Sequence, residues 1–215
     1  MNLTLRPLGS KRKAAHVTTT DWVARFASGG LRNCGPSSDF DLNPDVELKP
    51  GRTLRPAAVL VPLMQDGGET RVVLTKRSSR LKHHPGQIAF PGGKLDDTDA
   101  DATAAALREA EEEIGLPHAR VSVLTTLPAH ETVTGFSVTA VVGTLSAPAR
   151  FTPEAGEVAE VFTVPLGHLM ETENYGIQSR LWRGQRRFYY VVPWGPYYIW
   201  GATARILMSM AAGTK

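Results

Sequence analysis

The sequence predicts a layered domain of the α/β or α+β class, and three observations support this prediction. Apolar runs of strand length are bounded by glycine, proline or aspartate, one long helix follows the first strands, and a second helix closes the chain. The chain has 215 residues, 42% of them hydrophobic and 21% charged, so it is long enough to bury one complete core.

Seven segments are predicted to be strands. The first two, at 55–63 and 70–76, have the apolar character of buried strands and are joined by a predicted turn at 65–68. The later predicted strands occupy residues 87–90, 121–127, 136–145, 159–164 and 187–192.

Three segments are predicted to be helices. The central helix, at 102–114, follows the N-cap candidate Asp101 and ends before Gly115, a residue suited to the left-handed position after a last turn. The first helix, at 18–27, and the closing helix, at 203–212, each place apolar side chains on one face.

The composition divides the chain and excludes several classes of protein. Residues 1–50 are predicted to form an N-terminal extension, with a short helix and a Gly/Pro/Ser-rich segment, before a compact domain at 51–215. The single cysteine, Cys34, excludes an intramolecular disulfide framework and a multi-cysteine zinc site. Neither a secretory signal nor a membrane-spanning run is found, so we expect a cytoplasmic protein without a membrane partner.

A basic block lies immediately before an acidic block. The net charge of +3 fits an anionic small substrate as well as a nucleic acid. Lys76, Arg77, Arg80 and Lys82 precede the glutamate-rich central helix. This order suits a site that holds phosphates together with a cation.

Three glutamates of the central helix fall within one sector at about 100° per residue: Glu109, Glu112 and Glu113. Such carboxylates suit Mg²⁺ or Mn²⁺, although a charge run alone is more often a solvated helix face. An EF-hand is excluded because it needs glycine at Ala102, and a P-loop because it needs glycine at Ile88.

The helix and the loop before it carry a known motif. Residues 108–116, REAEEEIGL, match position by position the second half of the Nudix box, G-x5-E-x7-R-E-U-x-E-E-x-G-U. In the first half, Asp99 replaces the glutamate and one additional residue precedes Arg108. The sequence therefore resembles the Nudix hydrolases, which implies an α/β/α sandwich with a mixed β-sheet between helices.

A second motif adjoins the first. Residues 73–93 resemble the signature LLTxR[SA]x3Rx3Gx3FPGG of the coenzyme A pyrophosphatase branch, with Val73 and Lys82 as departures. Segments 157–162 and 199–207 are also similar to that branch. The resemblance implies hydrolysis of the pyrophosphate of coenzyme A or its derivatives with Mg²⁺ or Mn²⁺, giving 3′,5′-ADP and 4′-phosphopantetheine or its acyl form.

The resemblance also implies roles for individual residues. Glu109 and Glu113 are expected to bind the metal, with the Gly93 carbonyl as a further ligand. Glu112 is a third ligand or the general base, and Glu157 is the other candidate for the base. The role expected of Arg108 is to orient a glutamate.

The substrate is expected to contact Arg77, Lys82, His84 and Gln87. Arg186 and Arg187, beside the aromatic run 188–190, either meet an adenine or phosphate or belong to a strand that packs its rings inward. Two alternatives stay open: a Nudix hydrolase acting on another substrate such as ADP-ribose or a dinucleotide, and a non-enzymatic nucleic-acid-binding domain. We expect a small-molecule substrate and no nucleic-acid partner, and the sequence leaves a homodimer open.

Overall fold

A computed structural model of the protein describes residues 19–31, 33–48, 51–146, 148–182 and 184–214; Thr18 of the predicted first helix lies outside them. Within these residues, nine strands form one mixed sheet and two form a separate hairpin. The sheet contains β1 (Ser37–Ser38), β2 (Arg55–Asp66), β3 (Glu69–Arg77), β4 (Ile88–Ala89), β5 (Gly92–Lys94), β6 (Val121–Thr126), β7 (His130–Glu131), β8 (Phe136–Leu145) and β9 (Val158–Pro165). The hairpin is β10 (Gly176–Trp182) and β11 (Gln185–Val191), and the helices are α1 (Thr19–Ala27), α2 (Ala102–Ile114), α3 (Leu166–Met170) and α4 (Gly201–Gly213).

Strand β2 lies in the middle of the sheet. It runs parallel to β8 along one side. Along the other side it pairs antiparallel with β5 through residues 57–59 and with β3 through residues 63–66. Beyond these strands, β3 pairs with β9 and β4, while β8 pairs with β6 and β7. Strands β5 and β3 therefore follow one another along the same side of β2. This pairing fixes the position of the two glycines of β5.

The two faces of β2 belong to different cores. Ala57, Val61 and Leu63 face a core shared with α1, α3 and α4. Ala58 and Leu60 face a second core shared with α2. This alternation follows from the period of two of a β-strand. Helices therefore cover both faces of a mixed sheet, and the predicted fold class is confirmed.

Helix α2 begins and ends where the sequence predicts. The Asp101 carboxylate accepts a hydrogen bond of 2.8 Å from the N–H of Ala104. Gly115 adopts φ 64°, and its N–H returns to the carbonyls of the last turn, which closes the helix in the way that left-handed glycines do. Ala105 and Ala110 are fully buried, so the small side chains of α2 allow the helix to lie close to the sheet.

The hairpin turn between β2 and β3 is shorter than predicted. The strands extend to Asp66 and from Glu69, which leaves only Gly67 and Gly68 in the turn, with φ of 58° and 83°. Positive φ at both positions is the requirement of a type I′ turn, whose twist matches that of the flanking strands. The predicted four-residue turn is therefore wrong at its first two positions.

The N-terminal segment packs against the rest of the protein. Phe26 is fully buried and Leu31 nearly so, both in the core beneath α4. Strand β1 pairs in parallel with β7. Within the part of the chain that the structure describes, no helix is both long and apolar enough to cross a bilayer.

Candidate active site

Two glycines of β5 lie against the acidic face of α2. The pairing of β5 with β2 fixes their backbone at this position. A Cβ atom on Gly92 would overlap the carbonyl oxygen of Ala58, and a Cβ on Gly93 would overlap the carboxylate of Glu109. The close approach of the strands therefore requires glycine at position 92, while the absence of a side chain at Gly93 leaves room for the Glu109 carboxylate.

Glu113 is a buried carboxylate at this junction. It is only 5% exposed, and the N–H of Gly92 donates a hydrogen bond of 3.1 Å to its Oε2. Arg77 Nη1 lies 3.9 Å from its Oε1. Burial raises the pKa of Glu113 to about 7, against the opposing effects of the Gly92 N–H and Arg77, and the charges of Glu109 and Glu157 raise it further. A carboxylate of this kind favours an additional cation.

Glu109 lies one helical turn before Glu113 and faces the same loop. Burial raises the pKa of its carboxyl group, the adjacent Arg108 lowers it, and the charges of Glu112 and Glu157 raise it. Two partly buried carboxylates, both with raised pKa, therefore face the glycine loop. Their negative charge is only partly compensated by the protein itself.

Arg108 connects the helix to the preceding loop. Its Nε and Nη2 donate hydrogen bonds of 3.0 Å to the two carboxylate oxygens of Asp99. The Nη1 atom lies 3.1 Å from Glu109 and 3.0 Å from Glu112. The predicted contact of Arg108 with glutamate is present, and its bidentate partner is Asp99, a planar geometry that guanidinium and carboxylate favour.

Glu112 lies at the outer rim of the site. Its side chain is 60% exposed and pairs with Arg108 one turn earlier. Among the described residues, no three histidine, cysteine or carboxylate side chains converge into a ready-made metal cluster. The donors still fit a hard divalent cation, because they are carboxylate and carbonyl oxygens, and because burial destabilises the charge of both Glu109 and Glu113.

Glu157 approaches the same carboxylates from the loop before β9. Its charge acts on both Glu109 and Glu113. The loop is held in place because the Glu157 carbonyl accepts a hydrogen bond of 2.7 Å from the N–H of Ser78, and its N–H donates one of 2.8 Å to Glu154. The predicted downstream glutamate thus lies beside the helix carboxylates and on a defined loop.

The predicted substrate residues occupy the end of β3 and the loop that follows. The carbonyl of Gln87 accepts a hydrogen bond of 2.9 Å from the backbone N–H of Arg77. Burial lowers the pKa of His84, and the nearby charges of Arg77, His83 and Arg180 lower it further, so this imidazole is neutral at pH 7. Lys82 is exposed on the same loop.

Two neighbours of the site were missed by sequence reasoning. Asp99 is a departure from the box in sequence, and its bidentate pair with Arg108 was not predicted. Carboxylate and guanidinium groups form such pairs when the fold brings them together. Arg180 comes from β10, a strand that the sequence did not predict because most of its residues are exposed. No sequence pattern indicated that this hairpin approaches His84.

Comparisons with known proteins give related sequences and a related fold. Residues 53–183 match the family model described as "NUDIX domain". A protein of Pectobacterium atrosepticum named "Uncharacterized Nudix hydrolase NudL" is 41% identical over 172 residues, covering 80% of this chain and 89% of the relative. The protein of the same name from Escherichia coli K12 is 41% identical over 157 residues, covering 73% and 81%. A solved structure titled as a MutT/nudix family protein from Enterococcus faecalis has a TM-score of 0.50 at 15% identity, covering 77% of this chain and 64% of that one, and so supports the fold alone.

Proposed function

The chain belongs to the Nudix family of hydrolases, and from that membership we propose that it hydrolyses the pyrophosphate bond of coenzyme A or its derivatives. The products are 3′,5′-ADP and 4′-phosphopantetheine, or the acyl form of the latter. Hydrolysis of the pyrophosphate of a nucleoside diphosphate derivative is the activity of the family; the proposal concerns which derivative is cleaved.

The observation that supports this substrate most directly is the contact between the two motifs. Arg77, from the signature segment, lies 3.9 Å from Glu113 of the box. The loop that follows returns through Gln87, whose carbonyl accepts the N–H of Arg77. The residues that resemble the coenzyme A branch therefore border the carboxylates at which a diphosphate is expected.

Nudix hydrolases generally use Mg²⁺ or Mn²⁺, and we assign the metal ligands here to Glu109, Glu113 and the carbonyl of Gly93, with Glu112 as a further donor. The bound cation supplies neutralisation of the diphosphate charge and a lower pKa for a coordinated water. The donors fit, because their oxygens are the hard ligands that these ions prefer.

The protein residues have separate tasks in this proposal. Arg108 keeps Glu109 and Glu112 in place, since its own position is fixed by Asp99. Glu157 or Glu112 accepts the proton of the attacking water, Glu157 from a fixed loop and Glu112 from the rim. Arg77 and Lys82 offset the charge of the phosphates, and neutral His84 offers a hydrogen bond beside them.

A substrate panel tests this proposal. Coenzyme A, an acyl-coenzyme A, ADP-ribose, a dinucleotide and a nucleoside triphosphate are each incubated with the whole protein and Mg²⁺ or Mn²⁺, and products are separated by chromatography. We expect 3′,5′-ADP from coenzyme A at the highest kcat/KM. Cleavage of ADP-ribose with coenzyme A left intact would instead identify the alternative substrate class.

A further inference from the structure

A pocket lies outside the carboxylate site, between residues 38–43, the β10–β11 hairpin and the start of α4. It is a partly open pocket with a cavity volume of about 80 Å³. Its walls combine guanidinium groups with aromatic rings, chiefly those of Arg180, Trp182, Arg187, Tyr189, Trp200 and Arg205. We call it the arginine–aromatic pocket.

The wall formed by the N-terminal segment is fixed to the hairpin. The Asn43 side chain accepts a hydrogen bond of 2.9 Å from the N–H of Phe188 and donates one of 2.9 Å to the carbonyl of the same residue. It also donates to the carbonyl of Asp39 at 3.0 Å. Asn43 is itself buried. The pocket is therefore preformed, as small-molecule sites usually are.

The positive charges of the pocket are not all paired. Arg205 pairs with Asp41 at 2.6 Å, whereas Arg180 and Arg187 form no salt bridge with any of the described residues. Asp39, the acid in the wall, already accepts hydrogen bonds from His130 and from the N–H of Val133. Two guanidinium groups therefore have no anionic partner within the described chain.

Arg187 carries the strongest signal for a ligand. Its Nε is the one buried side-chain nitrogen or oxygen of the described residues without a hydrogen-bond partner. A buried donor without an acceptor is costly in free energy, so the polar contacts of Arg187 are incomplete within the described residues. Arg180 lies 4.4 Å above the ring of Trp200, an arrangement that leaves its N–H groups able to meet a phosphate.

The pocket presents both guanidinium groups and aromatic rings, and this combination favours one class of ligand over others. Flat aromatic side chains stack on nucleobases, and guanidinium groups bind phosphate by charge-assisted hydrogen bonds. An acidic peptide would use the arginines but not the rings. The pocket therefore fits a nucleotide best.

The pocket is connected to the carboxylate site. The charges of Arg180 and Arg77 both act on His84, and Arg77 lies 3.9 Å from Glu113. Trp200 lines this pocket and also the adjoining groove that contains Gln87. An elongated substrate can therefore extend along residues 84–87 from the carboxylates to the pocket.

We infer that the arginine–aromatic pocket binds the adenosine end of the substrate, with the base against the rings and the ribose 3′-phosphate on Arg187 and Arg180. This inference rests on the proposed function, since coenzyme A carries a 3′-phosphate separate from its diphosphate. ADP-ribose has no such phosphate. The pocket is thus the part of the protein that distinguishes the two substrates.

Three single variants of the whole protein test the inference: Arg187→Met, Arg180→Met and the control Arg186→Met. Arg186 is on the same strand, bonds Ser179 at 2.9 Å and does not line the pocket. Binding of adenosine 3′,5′-bisphosphate and of adenosine 5′-monophosphate is measured by calorimetry without metal. We expect the bisphosphate to bind about tenfold more tightly than the monophosphate, and each pocket variant, but not the control, to lose about tenfold.

Kinetics separate this inference from the proposed function. In both pocket variants the KM for coenzyme A should rise with kcat preserved, while dephospho-coenzyme A, which lacks the 3′-phosphate, is unaffected. If Arg187→Met does not fold, the exposed Arg180 supplies the test. Wild-type bisphosphate affinity and KM in the folded variants would overturn the inference and leave the proposed function standing. If the pocket variants lose bisphosphate binding but the wild-type protein does not hydrolyse coenzyme A, the pocket is supported as a nucleotide site and coenzyme A is excluded as the substrate.

Discussion

The guanidinium of Arg108 holds both carboxylate oxygens of Asp99 at 3.0 Å while also contacting Glu109 and Glu112. The Asp99 side chain is only 5% exposed, and the hydrogen bonds from Arg108 lower its pKa. Asp99 thus fixes the arginine that in turn positions two glutamates of the box. The pair of Asp99 and Arg108 forms although one additional residue separates these two positions.

Replacement of Asp99 tests this positioning role. Asp99→Asn removes the charge that anchors Arg108, and we expect a loss of about 10- to 100-fold in activity, as for other groups that support metal ligands. Apparent metal affinity should weaken in parallel. Asp97→Asn, in the same loop but exposed, is the control. Unchanged activity and metal affinity in Asp99→Asn would show that Arg108 needs no anchor.

Glu113→Gln should separate activity from stability. The amide keeps an oxygen for the Gly92 N–H but loses the negative charge expected to bind metal, so turnover should fall about a hundredfold or more. Thermal unfolding should show a folded protein at least as stable as the wild type, because a buried charge has been removed. Glu111→Gln, on the exposed side of the same helix, is the control. Wild-type turnover in Glu113→Gln would contradict the assignment of the metal site.

The pH dependence of stability without metal should report the raised pKa of Glu113. Since its pKa rises from an ordinary 4.5 to about 7 on folding, the folded state binds the proton more tightly than the unfolded state. Its contribution to the free energy of unfolding is therefore present below about pH 4.5 and lost as the pH rises to about 7, by at most about 3 kcal/mol. Unfolding of wild type and Glu113→Gln in EDTA measures the difference. If the free energies of unfolding of the two proteins change in parallel from pH 4.5 to 8, the raised pKa of Glu113 is contradicted.

Addition of Mg²⁺ or Mn²⁺ should raise the midpoint of thermal unfolding. A ligand at 100 times its dissociation constant stabilises the folded state by about 2.7 kcal/mol. We expect this shift in wild type and in Glu111→Gln, and its loss in Glu109→Gln and Glu113→Gln. The midpoints are measured by scanning fluorimetry at pH 8. Equal shifts in all four proteins would show that the metal binds elsewhere.

The two glycines of β5 should respond differently to alanine. In Gly92→Ala the new Cβ meets backbone at a φ of 153°, so we expect a loss of about 1–3 kcal/mol in the free energy of unfolding. In Gly93→Ala the Cβ meets the flexible end of Glu109, which can move aside. That variant should keep its stability and lose activity. Denaturant titration measures the free energy of unfolding, and a hydrolysis assay measures the activity. A stable Gly92→Ala and a destabilised Gly93→Ala would contradict the contacts described for these two positions.

The sequence predicted the elements whose signals are local. Helix α2 carries its own start at Asp101 and its own end at Gly115, and its bounds agree with the prediction. Strand β8 likewise has the predicted bounds. Buried apolar runs and helix caps are properties of a few adjacent residues, which is why sequence reasoning locates them.

The elements that were missed depend on contacts outside their own few residues. Strand β5 is a pair of glycines and a lysine whose strand character comes from pairing with β2. Strand β10 has mostly exposed residues and exists as half of a hairpin. At the site, the contact of Arg77 with Glu113 joins residues 36 positions apart, and its prediction required the resemblance of two motifs rather than any pattern of spacing.

The two hydrogen bonds between Asn43 and Phe188 join a segment before the family-matched region to a segment after it. The region that matches the family ends at residue 183 and begins at residue 53, so both partners of these bonds lie beyond it. A chain trimmed to the shared region keeps Glu109, Glu112, Glu113 and Glu157 but loses most of the residues that line the arginine–aromatic pocket, among them Arg187, Trp200 and Arg205. Under the proposed function, the residues assigned to hydrolysis and most of those assigned to the adenosine end of the substrate therefore lie in different segments of the polypeptide.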